Sequence, residues 1–408
     1  MKYPIIVIVF LSFFCLKGNS QVTIGVDEEP VYGAILQLKD QKNVAVGGVN
    51  ATKGLLLPRI HLTDLNSLID IIPDSEDRPD PNVHIGLTVY NMNEDACSLK
   101  EPLRRGVYMW NGKTWNLAGA AYDSRVQTYK DQDGNEFRAS QFGSAGVWMI
   151  ENLRATKYAD NLGGAYLTES LTAGATARMA YTYPGLNKSN FDANPSIGLL
   201  YEWEAATNKK SIDAVGKEFV NGVEKSKHNE GNHLQGICPE GWHIPTMAEW
   251  IELEKEIIKN SSQYSSLTNL TEPVGGLDPT DPFDGQIGLG EESILIYDRG
   301  NHGMAMSSKC NPPGITDTNI SKGNILFDGG FSAMMAGCVW GTSTVSDTYG
   351  RESYFHTGSV VDFGKSPAIY GYAGLSIFSG DSDNVGVSTR TPFRTDNGGY
   401  LTVRCKKN

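Results

Sequence analysis

Along the first third of the chain, apolar and polar residues alternate in short runs, the period of half-buried strands rather than of helices. "VTIGVDEEPVYGAILQLKD" (22–40) alternates in this way, and "KGLLLPRI" (53–60) reads as a buried run stopped at Pro58. "RRGVYMWNGKTWNLAG" (104–119) sets two aromatic-bearing strands on either side of Asn111-Gly112. That step predicts a hairpin, because both turn residues tolerate positive φ. "DSEDRPDPN" (74–82), rich in proline and acids, reads as an exposed loop. A second hairpin is predicted in "VQTYKDQDGNEFRAS" (126–140), turning at Asp133-Gly134. Helical spacing appears only later. "LLYEWEAATNKK" (199–210) places Leu200, Trp203 and Ala206 on one helical face, and "PTMAEWIELEKEIIKN" (245–260) has Thr246 and Glu249 in capping-box spacing before Trp250, Leu253 and Ile257. The pattern is that of a strand-rich α+β chain.

Composition supports this, with 45 glycines among 408 residues and only 20% charged residues. Lys and Arg number 35 against 47 Asp and Glu, a net charge of -12 that no basic run offsets, so nucleic acid is disfavoured as a partner. "MKYPIIVIVFLSFFCLKGNS" (1–20) has one early lysine, an apolar core from Ile5 to Leu16 and a small-residue exit, the plan of a secretory signal peptide. No later run reaches the roughly 18 apolar residues of a spanning helix. The chain is therefore expected to be exported, periplasmic or at the cell surface, without direct membrane insertion. After the leader come Cys97, Cys238, Cys310, Cys338 and Cys405, an odd set with no C-x-x-C pair, which argues against zinc ribbons and thiol redox centres. Cys238 opens the corner "CPEGWHIPTMAEW" (238–250), where Gly241 makes the turn and Trp242 fills the core beneath. Cys405 lies in the terminal strand of "NGGYLTVRCKKN" (397–408). A bond between the two would remove on the order of 5 kcal/mol of unfolded-chain entropy.

Residues 21–121 form a β-rich N-terminal module. Ile24-Gly25, Pro30, Ala34, Leu36, Leu38, Lys53 to Arg59, Gly86 to Asn91 and Gly106 to Trp115 resemble modules of exported Bacteroidetes-type and tail-fibre-like chains, which implies a surface stalk without chemistry. Over residues 122–408, the blocks "DGNEF", "VWMIENLRATKY", "YEWEAA", "CPEGWHIPTMAEW", "GFSAMMAG", "YFHTGS" and "LTVRCKKN" resemble, in order, the Fibrobacter succinogenes major paralogous domain. The resemblance implies a C-type-lectin-like, formylglycine-generating-enzyme-like fold: a small twisted antiparallel sheet, two helices, and a long loop region between about Gly337 and Arg394. It also implies a Cys238–Cys405 bridge; Cys310–Cys338 is the second pairing considered, which leaves Cys97 unpaired. His356 stands where the family carries Trp, and a solvent-facing strand position is expected for it.

Catalysis would need a nucleophile with a base, paired carboxylates or a metal cluster. His228 and His233 share the polar loop "KSKHNEGNHLQG" and read as solvated, while His243 is expected to bond local backbone. Enzymes of the superfamily implied by the resemblance hold copper on a closely spaced cysteine pair, which Cys310 and Cys338 do not provide. "DQDGN" (131–135) begins like a calcium loop, but its twelfth position is Phe142 where a glutamate is required, so it reads as a turn. A lectin-type calcium site is not supported either, since "EPV" (272–274) stands alone without Trp-Asn-Asp. Asp278, Asp281 and Asp284 remain as calcium candidates; otherwise no cofactor is expected. Trp340, Tyr349, Tyr354, Tyr370 and Tyr372, in a stretch dense in Gly, Ser and Thr, are the candidate ligand contacts.

The function expected is that of a non-enzymatic surface binding protein or adhesin, taking a glycan or protein through the lectin-like domain. One alternative is a structural subunit of an envelope or pilus-like assembly with no small ligand. The other is a formylglycine-generating-enzyme-like catalyst.

Overall fold

The computed structural model describes residues 22–42, 45–46, 48–72, 79–95, 97, 103–119, 123–170, 179–208, 233–267, 270, 302–316, 323–340, 348–362 and 399–408. It also describes the strand backbones at 219–220, 223–224, 297–298, 370–378 and 387–394. The segment read from sequence as a leader (1–20) and the calcium candidates Asp278, Asp281 and Asp284 lie outside the described residues.

The N-terminal module begins with a ribbon of two parallel strands, β1 (Val22–Ile24) and β2 (Leu36–Leu38), paired Val22 to Leu36 and Ile24 to Leu38. A four-stranded sheet follows in the order β3 (Arg59–Ile60), β4 (Thr88–Asn91), β5 (Gly106–Trp110), β6 (Trp115–Leu117). Its core gathers Leu62, Leu65, Leu68, Val89, Tyr108 and the edge-on pair Trp110–Trp115. The hairpin predicted at Asn111-Gly112 is present with a different turn. Asn111 stays at negative φ and its side chain accepts from the amides of Lys113 and Thr114 at 2.9 and 2.8 Å, so only Gly112, at φ 100°, uses the left-handed region. The run read as buried, "KGLLLPRI", is not: Leu55 is 69% and Leu56 75% exposed, and nothing among the described residues covers them.

The rest of the chain is sheet-rich with few, short helices, an α+β fold. One antiparallel sheet runs Trp242–His243, Lys406–Lys407, β9 (Gly146–Met149), β8 (Glu136–Phe142), β7 (Val126–Lys130). A second runs Thr168–Glu169, Ala180–Thr182, Leu200–Glu202, Gly399–Leu401, Val339–Trp340. The C-terminal segment thus contributes a strand to each sheet, and the Cys238–Cys405 bond, with Cα atoms 5.9 Å apart, ties the join to the Gly241 corner. Trp242 fills the space beneath, edge-on to Tyr129 and Phe137. Thr246 caps the helix Met247–Lys259 in the predicted capping box, and Trp250, Leu253 and Ile257 are fully buried, with Trp250 4.9 Å from Trp148.

Three expectations are corrected here. Cys310 bonds Cys97 rather than Cys338, and Cys338 is a buried thiol packed with Tyr354 and Leu401. The reason is placement: Cys338 precedes a strand in the second sheet and enters the core, whereas Cys310 lies where the N-terminal module docks. That docking also uses Arg104, 3.1 Å from Asp328 and with its guanidinium 5.7 Å from the Phe327 ring centroid. The stretch expected as loops between Gly337 and Arg394 contains an antiparallel meander of Glu352–Asp362, Tyr370–Phe378 and Val387–Arg394. Leu200 belongs to a strand, and the helix of its segment is only Trp203–Thr207.

Candidate functional site

Two constellations of polar side chains stand out among the described residues. The first is the corner at 238–250. Glu249 lies at the third helical position and its carboxylate accepts from the Thr246 amide at 2.9 Å, His243 Nε2 at 3.0 Å and Lys406 Nζ at 2.9 Å. Burial alone would raise this carboxyl, but the His243 hydrogen bond and charge, then Lys406, outweigh it and hold it well below the usual carboxylate range. His243 Nδ1 lies 2.6 Å from Asn408 Oδ1, and the His233 ring stacks on it at 4.1 Å. His243 was expected to bond backbone; it bonds side chains because the terminal strand brings Lys406 and Asn408 beside the helix start. His233, His243 and Glu249 offer ligand atoms within 4.8 Å of one another, the spacing of a metal site. Both Glu249 oxygens are already engaged, however, Oε1 by the Lys406 ammonium and Oε2 by the Thr246 amide, and the network fastens the C-terminus to the helix.

The second constellation is an open groove built on the Asp131–Asn135 turn. Asp131 is buried, and its carboxylate accepts from the Asp133 and Asn135 amides and from Asn135 Nδ2, which makes this a self-contained turn, as its sequence implied. Gln132 Nε2 reaches the carbonyls of Lys157 and Ile237 at 2.7 and 2.8 Å, and Asp133 Oδ2 accepts from the Thr156 amide and hydroxyl at 2.5 and 2.8 Å. These bonds fix the turn against the segment 154–157. Beside them opens a space of about 380 Å³ lined by Asp133, Asn135, Arg154, Thr156, Lys157, Tyr166 and Phe191. Tyr166 is 75% exposed; with Leu162 it is the only large apolar side chain exposed among the described residues of the second domain. Lys157 pairs with Tyr166 through the backbone, and its ammonium lies 5.8 Å from the ring centroid. Sequence reasoning missed this groove. Its one local signal is an aromatic residue placed among glycines and polar residues in "DNLGGAY" (160–166).

Of the aromatic residues singled out from sequence, Tyr349 and Tyr354 have described side chains, and neither is exposed. Tyr354 is 3% exposed with its hydroxyl on Glu352, and half-buried Tyr349 donates to the Pro313 carbonyl at 2.9 Å, its phenol pushed up to about 12 by burial. The side chains of Trp340, Tyr370 and Tyr372 lie outside the described residues. His356 does not face solvent: it is fully buried, 2.7 Å from the Tyr201 carbonyl, because the C-terminal segment pairs along its strand. Burial pushes its imidazole down to about 4, against the hydrogen bond to Tyr201.

A strand-rich N-terminal module followed by an α+β region with a disulfide-tied terminus defines the class. Residues 144–407 match the Fibrobacter succinogenes major domain, and residues 23–130 match a phage-tail-like trimerisation region. The chain belongs to the Fibrobacter succinogenes major domain family, which is surface-associated. No curated protein and no solved structure matches it. Among the described residues no helix is long and apolar enough to cross a membrane.

Proposed function

We propose that the chain is an exported, non-enzymatic surface binding protein, in which three copies join through the N-terminal ribbon and each carries its second domain as a head for a glycan or protein ligand. The observation that carries this reading is the inverted burial of the ribbon. Val22, Ile24, Leu36 and Leu38 lie on one face and are 49, 56, 56 and 40% exposed, whereas Thr23 and Gln37 on the other face are more covered. A lone two-stranded ribbon is marginal in water, and a contiguous exposed apolar patch marks an interaction surface. Covering the exposed half of each of these side chains contributes roughly 1 kcal/mol apiece. Leu55 and Leu56 extend the same kind of surface, and the match to a trimerisation region supports two further copies of this chain as the cover.

A binding role for the head, rather than catalysis, is supported by its charged cluster at His243, Glu249 and Lys406, whose groups satisfy one another. A C-type-lectin-like fold for the head is supported by the near-terminal disulfide and the small antiparallel sheets. Chemical crosslinking of the mature chain tests the assembly: a trimer band is expected, and the double variant Ile24→Asp, Leu36→Asp should lose it. A monomer band alone in the unaltered chain overturns the reading.

A further inference from the structure

The groove between the Asp131–Asn135 turn and the segment 154–166 carries more than a generic binding role. We propose that it binds an acidic saccharide, a sugar unit bearing a carboxylate, with Tyr166 as the platform for the ring and Arg154 and Lys157 as the contacts for the anion. The proposal rests on the reading of the head as a binding module and names the chemistry of its ligand.

Three observations converge. The first is the exposure of Tyr166, at 75%, on the wall of a concave space. The Lys157 ammonium lies 5.8 Å from the ring centroid, so the exposed ring has a cation beside it, and the C–H edges of a pyranose carry the partial positive charge that suits the negative face of a ring. The second is the charge balance. The chain has a net charge of -12, yet the groove holds two cations, Arg154 and Lys157, against one carboxylate, Asp133. That carboxylate is turned to the protein, with Oδ2 accepting from both the amide and the hydroxyl of Thr156. Arg154 donates to the Glu136 carbonyl through one of its terminal nitrogens, which tethers the guanidinium beside the turn. A planar, oriented guanidinium matches a carboxylate in two-point geometry, and the Lys157 ammonium adds a second, compact charge.

The third observation is preorganisation. Gln132 holds the carbonyls of Lys157 and Ile237, and Asp131 holds the turn internally, so the floor of the groove is set before any ligand arrives. Binding then costs little ordering of the protein. Asn135 and Thr156, which line the same space, donate to Asp131 and Asp133 and keep their side-chain oxygens as acceptors for the hydroxyls of a sugar. The volume of about 380 Å³ falls within the range of small-ligand sites.

The test is calorimetric titration of the mature full-length chain, at low salt, with tetragalacturonate, with sialyllactose and with the carboxyl-reduced form of each. Saturable binding of at least one acidic probe is expected, weakened at least tenfold by Tyr166→Ala, by the pair Arg154→Gln, Lys157→Gln, and by reduction of the ligand carboxylate. Tyr166 is exposed, so its variant should melt at the wild-type temperature, which separates lost contact from lost fold. Failure of both acidic probes to bind, equal affinity for the reduced forms, or unchanged binding in Tyr166→Ala overturns the proposal. Equal affinity for a poly-glutamate peptide also overturns it, in favour of a peptide site. Assembly is read independently by molar mass: a monomer that still binds acidic sugar contradicts the stem reading alone, and a trimer that binds none contradicts this one alone.

Discussion

His356 offers a quantitative check on the head's packing. Its imidazole is fully buried against the Tyr201 carbonyl and pushed down to about 4, from an ordinary value of 6.5 in the unfolded chain. The sign follows from linkage: between these two values the unfolded chain binds a proton that the folded chain refuses, so stability is fully present above pH 6.5 and is lost as pH falls toward 4. At 1.36 kcal/mol per pH unit, lowering the pH from about 7 to about 4.5 removes roughly 2.5 kcal/mol through this one group. Glutamine at this position keeps an N–H for the carbonyl and does not titrate. Urea unfolding of wild type and His356→Gln at both pH values isolates the histidine, because every other group titrates in both proteins. The wild type is expected to lose roughly 2.5 kcal/mol more than the variant on acidification. Parallel losses in the two proteins would refute the burial of this side chain.

Other perturbations probe separate parts of the account. Arg404 is buried with its guanidinium on Asn152 Oδ1 and on the carbonyls of Phe331 and Ser332, and it stacks 4.3 Å from the Phe331 ring centroid. Arg404→Met strands three acceptors and should cost about 3–5 kcal/mol in urea unfolding; a cost below about 1 kcal/mol would contradict the contacts described. The paired change Cys97→Ser, Cys310→Ser opens a loop with a sequence separation of 213 and should cost up to about 5 kcal/mol while speeding tryptic cleavage around Arg104 and Arg125; unchanged cleavage would count against the docking described. Gly198 has φ 77°, and a Cβ there would fall 2.4 Å from Asn152 Cβ, so Gly198→Ala should destabilise by at least about 2 kcal/mol, and a neutral effect would contradict the packing of that strand's entry.

What could be read from sequence was mostly local. The capping box at Thr246 and Glu249, the apolar stripe at Trp250, Leu253 and Ile257, and the Asp131–Asn135 turn depend on residues within a few positions of one another, and each is present. The Cys238–Cys405 bond was reached through the family pattern around both cysteines. The partner of Cys97 was not legible, because the bond joins two domains whose docking no local signal encodes. "KGLLLPRI" misled for an instructive reason: an apolar run says that a surface is to be covered but not by which chain. His356 and Tyr354 were misplaced because their burial is imposed by the C-terminal segment, which reaches their strand through Thr402. The groove escaped because its members come from the turn, the segment 154–157, Tyr166 and Phe191, and the contacts that gather them, among them the bonds of Gln132 and Asp133 and the Lys157–Tyr166 pairing, are not local in sequence.

Three copies joined at the ribbon is the claim on which the functional reading depends most. Sedimentation equilibrium of the mature chain, beside Ile24→Asp, Leu36→Asp, measures it without reference to any ligand. The account predicts three chain masses for the unaltered protein and one for the variant. A single chain mass for the unaltered protein across the micromolar range would contradict it.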